Sequence, residues 1–194
     1  MKLLIVVDMQ NDFVTGSLGT KEAQAIVENV ICKIKETPAE QIYVTQDTHP
    51  EQYLQTKEGH HLPVAHCIEG TDGHCLCPAV EQALEEKQVD AARKIQKPTF
   101  GSMELIEKLR SDEKILGDSN LQIELVGLCT GICVLSNAIL CKAAFPEADV
   151  IVDAAACACV TPASHDTALA AMKLCQIEVE KEGKEPWRNE NIES

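Results

Sequence analysis

The chain has 194 residues, with 17 Lys or Arg against 31 Asp or Glu, for a formal charge of −14 at pH 7. An apolar content of 45% excludes a disordered chain, and a chain of this length buries roughly 70% of its unfolded surface, enough for one core in a single domain over residues 1–194. The acidic balance argues against nucleic acid and anionic membrane as partners, because both recruit Lys and Arg.

In chain order, the apolar run from Leu3 to Val7 stops at Asp8 and reads as a strand buried on both faces. It is too short for a signal peptide, and no stretch has the ~20 apolar residues of a membrane span. Residues 23, 26, 27, 30, 31 and 34 are apolar at helical spacing, so one helix is expected over 23–34. Gln41 to Thr45 reads as a second strand. The stretch from Asp47 to Pro78 has little periodicity and holds five of the six histidines, and long irregular segments in compact domains are usually functional. A short helix from Pro78 to Lys87 and a weak strand from Ala91 to Gln96 follow. An amphipathic helix over Ser102–Arg110, a strand over Leu121–Val126 and an apolar helix over Ile132–Ala144 come next. A short strand at Val150–Val152, a helix over Pro162–Leu174 and a strand at Gln176–Val179 complete the pattern. From Glu180 the chain turns polar and reads as a frayed tail.

Strands alternating with helices predict an α/β fold: a three-layer, doubly wound, six-stranded parallel sheet with helices on both faces. In such sheets ligands bind beyond the carboxyl ends of the strands. Asp8, Lys97 and Cys133 all follow predicted strands, so all three reach one crevice. Taken singly they read as a turn cap, a solvated lysine and a small buried thiol. Together they make a nucleophile, a base and a cation. Cys133 stands at the start of a helix, where partial positive charge favours a thiolate. With Lys97 nearby, its thiol is expected to react well below pH 8.5. A thiolate attacks a carbonyl carbon, backbone N–H groups of the 129–133 turn hold the oxyanion, and Asp8 moves the proton.

The runs DMQNDF, DTHP, HCIEGT, KPTFGS and GLCTGICV, in this order, resemble the isochorismatase-like cysteine hydrolases, which include the nicotinamidases. The resemblance covers roughly residues 2 to 180. It implies Asp8, Lys97 and Cys133 as the catalytic triad, and a cis peptide at Leu128–Cys129 with the amides of Cys129 and Cys133 as the oxyanion hole. It also implies that Phe13 lies against the substrate ring. One departure is Gly131, where the family usually has Asp. Another is Pro63, where its nicotinamidases often have Trp.

Asp47 and His49 alternate in an extended segment, so they can share one ion, and His66 follows 17 residues later. One carboxylate and two imidazoles suit Zn²⁺, with Fe²⁺ or Mn²⁺ as alternatives; solvated loop histidines are the plainer reading of the same residues. The family's nicotinamidases are similar in this triplet and use it for a metal that receives the substrate's ring nitrogen. The resemblance therefore implies a metal-assisted cysteine amidase acting on nicotinamide or a similar small amide, and a homo-oligomer. Two alternatives stay open: a metal-independent isochorismatase-like or carbamoyl hydrolase, and a non-catalytic metal- or thiol-binding member of the fold.

The ten cysteines form no zinc-knuckle spacing in Cys75-x-Cys77 or Cys157-x-Cys159. A cytosolic protein with free thiols is expected. Beyond Cys129 and Cys133, the other eight read as small packing residues. His165 reads as a polar surface or helix-cap residue.

Overall fold

Alternation along the first strand decides the architecture. In a computed structural model that describes residues 1–188, Leu3, Ile5 and Val7 enter one hydrophobic core, while Leu4 and Val6 enter another on the opposite face. A strand that buries both faces needs helices on both. The strands are β1 (Lys2–Val7), β2 (Ile42–Asp47), β3 (Lys94–Lys97), β4 (Gln122–Leu128), β5 (Asp149–Ala158) and β6 (Glu178–Glu180). They form one parallel sheet in the order β3-β2-β1-β4-β5-β6. The direction of winding reverses between β1 and β4, which is where such sheets open a crevice. The doubly wound six-stranded fold read from the sequence is the one observed.

The helices are α1 (Asn11–Val14), α2 (Lys21–Ala25), α3 (Val27–Glu36), α4 (Lys57–His61), α5 (Pro78–Glu86), α6 (Met103–Ser111), α7 (Glu113–Leu116), α8 (Leu135–Ala144) and α9 (Pro162–Leu174). Residues of α2, α3 and α5 pack on one face of the sheet and residues of α6, α7, α8 and α9 on the other. Local chemistry sets several starts. The Ser102 hydroxyl accepts the Leu105 N–H at 3.0 Å to cap α6. Thr161 at the N-cap and Ser164 in the first turn form a reciprocal capping box around Pro162, the first residue of α9. Among the described residues no helix is long and apolar enough to cross a membrane.

Three expectations need correction. The single helix over 23–34 is two, because the chain turns at Ile26 to pass from α2 into α3 while keeping Ala23, Val30 and Ile34 buried. The last long strand extends far past Val150–Val152: β5 has ten residues and a bulge opposite Leu125–Gly127. Its alanine-rich second half lacks β-branched residues and carries no strand signal of its own. The tail is not frayed at Glu180 either. Glu185 and Trp187 are buried, and Pro186–Arg188 packs against α2. Residues 189–194 of the expected tail lie outside the described residues.

The sheet also buries charge. Glu124 in β4 meets Lys33 and Lys2, and Asp153 in β5 meets Lys33 at 2.8 Å and Lys181 at 2.7 Å. Burial opposes ionisation of Asp153, but the bonds from Lys181 and Lys33 prevail and hold its carboxyl below the ordinary value of 3.8.

Candidate active site

The three catalytic candidates gather at the carboxyl edge of the sheet, Asp8 and Cys133 beyond the ends of β1 and β4 and Lys97 as the last residue of β3. Asp8 leaves β1 with a φ of +48°, a left-handed conformation that Asp tolerates better than most residues. Its N–H is held by the Thr45 carbonyl at 3.1 Å, and the Thr45 hydroxyl donates to Asp8 Oδ1 at 2.6 Å. Lys97 ends β3 in register with Asp47 of β2. Beyond β4 the Leu128–Cys129 peptide is cis, as the resemblance implied. The next residues, Thr130–Val134, form a π-type turn in which the Ile132 and Val134 N–H groups both reach the Cys129 carbonyl. That turn delivers Cys133. Gly127 just before it has a φ of +116°, and a Cβ there would fall 2.1 Å from the Val7 carbonyl oxygen, so only glycine lets β4 lie this close to β1.

These elements bring the three expected residues into one contact set. Lys97 Nζ lies 2.7 Å from Asp8 Oδ2, 3.4 Å from Cys133 Sγ and 3.2 Å from Asp47 Oδ1. The lysine is 1% exposed, which is exceptional for this residue type unless it is paired. Burial works against its charge, but Asp8, Cys133 and Asp47 hold it firmly protonated. Burial raises the Asp8 carboxyl above its ordinary value, more than Lys97 lowers it. The Cys133 thiol differs from expectation. Desolvation, reinforced by the Asp8 charge, pushes it well above the ordinary thiol range, and Lys97 only partly offsets this. The resting nucleophile is therefore a thiol beside a base, not a free thiolate.

Asp47, His49 and His66 also converge, and Glu58 joins them. Ligand atoms of these four side chains all lie within 4.8 Å of one another. His49 Nε2 is 2.9 Å and His66 Nε2 is 3.6 Å from Asp47 Oδ2, and Glu58 Oε1 is 3.7 Å from His49 Nε2. His66 Nδ1 donates to the Val64 carbonyl at 2.8 Å, which leaves the Nε2 lone pair facing the cluster. Two imidazoles and two carboxylates, with one tautomer already fixed, fit a divalent transition metal. Glu58 lies on α4, within the stretch that showed no periodicity, so spacing could not single it out. Gln10 braces the site from below. Its amide donates to the Asp47 carbonyl at 2.8 Å and the His74 carbonyl at 2.9 Å, and its oxygen accepts the Asp47 N–H at 2.7 Å.

A cavity of about 370 Å³ connects the two centres. Cys133, Cys129 and Leu128 line it, and so do Asp47, Glu58 and His66. Phe13 lines it too, with its ring 5.4 Å from that of His66. Phe100, unmarked in the sequence reading, is a second aromatic on the wall. Tyr53, fully buried, sits tilted against His49 at 4.6 Å and edge-on to His66 at 4.8 Å. The departure at Gly131 has a steric account. A Cβ there would stand 3.3 Å from both Cys159 Sγ and the Ala168 methyl, so these side chains fill the space that a longer residue would need.

All ten cysteines are free. Cys32, Cys75 and Cys175 are exposed, which corrects the expectation that every cysteine outside the active turn is a packing residue. His165 is fully buried rather than on the surface.

A cysteine, an aspartate and a buried lysine at the switch point of a parallel sheet define a cysteine-hydrolase type of site. The isochorismatase domain matches residues 2–181, and the chain belongs to the isochorismatase family. It is 31% identical over 147 residues, 71% of this chain and 76% of the other, to a protein of Bacillus subtilis (strain 168) described as an uncharacterized isochorismatase family protein PncA. The crystal structure of nicotinamidase/pyrazinamidase PncA from Bacillus subtilis superimposes with a TM-score of 0.77 at 25% identity, covering 92% of this chain and 98% of that one. Pyrazinamidase/nicotinamidase from Streptococcus mutans UA159 gives 0.76 at 26% identity, covering 92% and 99%. Pyrazinamidase of Pyrococcus horikoshii in complex with zinc gives 0.70 at 25%, covering 92% and 97%.

Proposed function

We propose that the protein hydrolyses nicotinamide or a similar small amide to the acid and ammonia through a thioester on Cys133. The observation that carries this reading is the ammonium of Lys97 set between the Asp8 carboxylate and the Cys133 sulfur, beside a cavity that Cys133 lines together with Asp47, Glu58 and His66, three of the four clustered metal-type ligands. The names of the neighbours at 25–26% identity, nicotinamidase and pyrazinamidase, support it.

Asp8 takes the thiol proton as sulfur attacks the amide carbon, so the buried thiol need not ionise in advance. The N–H groups of Cys129 and Cys133 receive the oxyanion. The C–N bond breaks as Asp8 returns the proton to nitrogen, and ammonia leaves. Water then gives a proton to Asp8 and attacks the thioester; the C–S bond breaks, and the sulfur recovers its proton from Asp8. Lys97 holds Asp8 in line with the sulfur throughout and offsets its charge. Asp47, His49, Glu58 and His66 would hold a divalent metal, Zn²⁺ by the chemistry of the donors, which supplies a Lewis-acidic anchor for a ring nitrogen.

The test is ammonia release from a panel of small amides, with Cys133→Ala as the blank. Turnover of at least one amide that vanishes in the variant is expected. Wild-type turnover by Cys133→Ala, or no turnover of any amide, overturns the reading.

A further inference from the structure

Behind the active turn lies a buried polar chain that the proposed chemistry does not use. Thr130, between Cys129 and Cys133, is fully buried, and its hydroxyl is 2.8 Å from His165 Nδ1. His165 Nε2 is 3.2 Å from Glu185 Oε1, and both side chains are fully buried. Arg188 in turn bonds Glu185 and Asp166. The Trp187 ring meets the His165 ring edge-on at 5.3 Å and carries the Arg188 guanidinium on its face at 4.6 Å.

The donors and acceptors leave one arrangement. Glu185, paired with Arg188, is a carboxylate and can only accept, so His165 Nε2 must carry the hydrogen. Burial lowers the His165 pKa and keeps the imidazole neutral, so Nδ1 presents a lone pair and the Thr130 hydroxyl donates to it. Thr130 is thereby held in one rotamer from behind, on the turn whose backbone carries Cys129 and Cys133. The same C-terminal segment packs on α2 through Pro186–Arg188, and Thr20 and Ala23 at that helix line the cavity.

We propose that Thr130 and His165 are positioning residues, and that Glu185 in the C-terminal segment sets through them the geometry of the oxyanion-binding turn. The inference rests on the cysteine-hydrolase reading of that turn. It predicts a selective defect: an adduct with an oxyanion to be held should weaken, whereas a reaction of the same sulfur without one should not.

The experiment uses pyridine-3-carboxaldehyde, to which Cys133 adds reversibly. The S–C bond forms, the carbonyl π bond opens to leave an oxyanion on the turn, and Asp8 takes the thiol proton. Iodoacetamide, which the sulfur attacks at a saturated carbon with loss of iodide, is the control. Thr130→Val is expected to weaken aldehyde binding at least about 10-fold while changing the alkylation rate less than about twofold, and Thr130→Ser to recover most of the loss. His165→Asn, if it folds, should behave like Thr130→Val. Thr130→Val binding the aldehyde as tightly as wild type, or losing both reactions equally, overturns the proposal, as does failure of wild type to bind the aldehyde. Ammonia release by the same wild-type preparation reports separately on the amidase reading, so an inactive enzyme that still shows the selective defect would sink that reading alone.

Discussion

Lys97→Met should be both inactive and much less stable, and the structure sets the scale. The ammonium is 1% exposed and bonds Asp8 and Asp47, themselves 0% and 2% exposed, at 2.7 and 3.2 Å. Methionine keeps the length of the side chain and removes the charge, so the variant retains packing but strands two carboxylates away from water. Breaking a buried pair in this way costs about 3–5 kcal/mol. A domain has about 5–15 kcal/mol in total, and in a chain of this size each kcal/mol moves the melting temperature by about 2–4 °C. A fall of roughly 6–20 °C follows, read by circular dichroism at pH 7 in chelator-treated protein. Asp8→Asn combined with Lys97→Met removes one of the stranded charges together with its partner. The double variant should therefore melt above Lys97→Met alone, with a coupling of at least about 1 kcal/mol. If Lys97→Met melts within about 2 °C of wild type, or if the two substitutions add, Lys97 does not neutralise the site in the way described.

Other outcomes follow from the same geometry. Glu58→Gln should weaken Zn²⁺ binding by about 10-fold or more, measured by competition with a chromophoric chelator, because one of four convergent donors loses its charge. Gly131→Asp should destabilise the fold by about 1–3 kcal/mol through overpacking, and Cys159→Ala in the same chain should recover part of that in denaturant titrations. Asp153, held below its ordinary 3.8 in the folded state, stabilises the protein fully above that value and loses the contribution as pH falls through its depressed folded value. Melting temperature should therefore drop below about pH 4, and Asp153→Asn should flatten that limb while lowering stability at pH 7.

Much of the site was legible because the sheet places strand ends together: once strands ended at Asp8, near Lys97 and before Cys133, the crevice had to receive all three. The parallel six-stranded sheet and the His49–His66 pair were readable for similar reasons, whereas the order of the strands was not. What escaped the sequence depends on contacts rather than on pattern. Glu58 sits on a five-residue helix with no periodicity to mark it. The second half of β5 is alanine and cysteine, which carry no strand preference, and it stays extended because β4 pairs with it. His165 looked like a helix-surface polar residue because its partners Thr130 and Glu185 lie 35 and 20 residues away. The state of the Cys133 thiol was misjudged for a related reason: the helix start and the lysine were visible, but the desolvation was not.

That desolvation bears on how the protein survives oxidants. Peroxides attack thiolates far faster than thiols. A nucleophile kept protonated until substrate arrives, with Asp8 waiting to take its proton, spends little of its life in the vulnerable form. Cys32, Cys75 and Cys175 are exposed instead, and none of them lines the cavity, so a modified sulfur there leaves the crevice untouched.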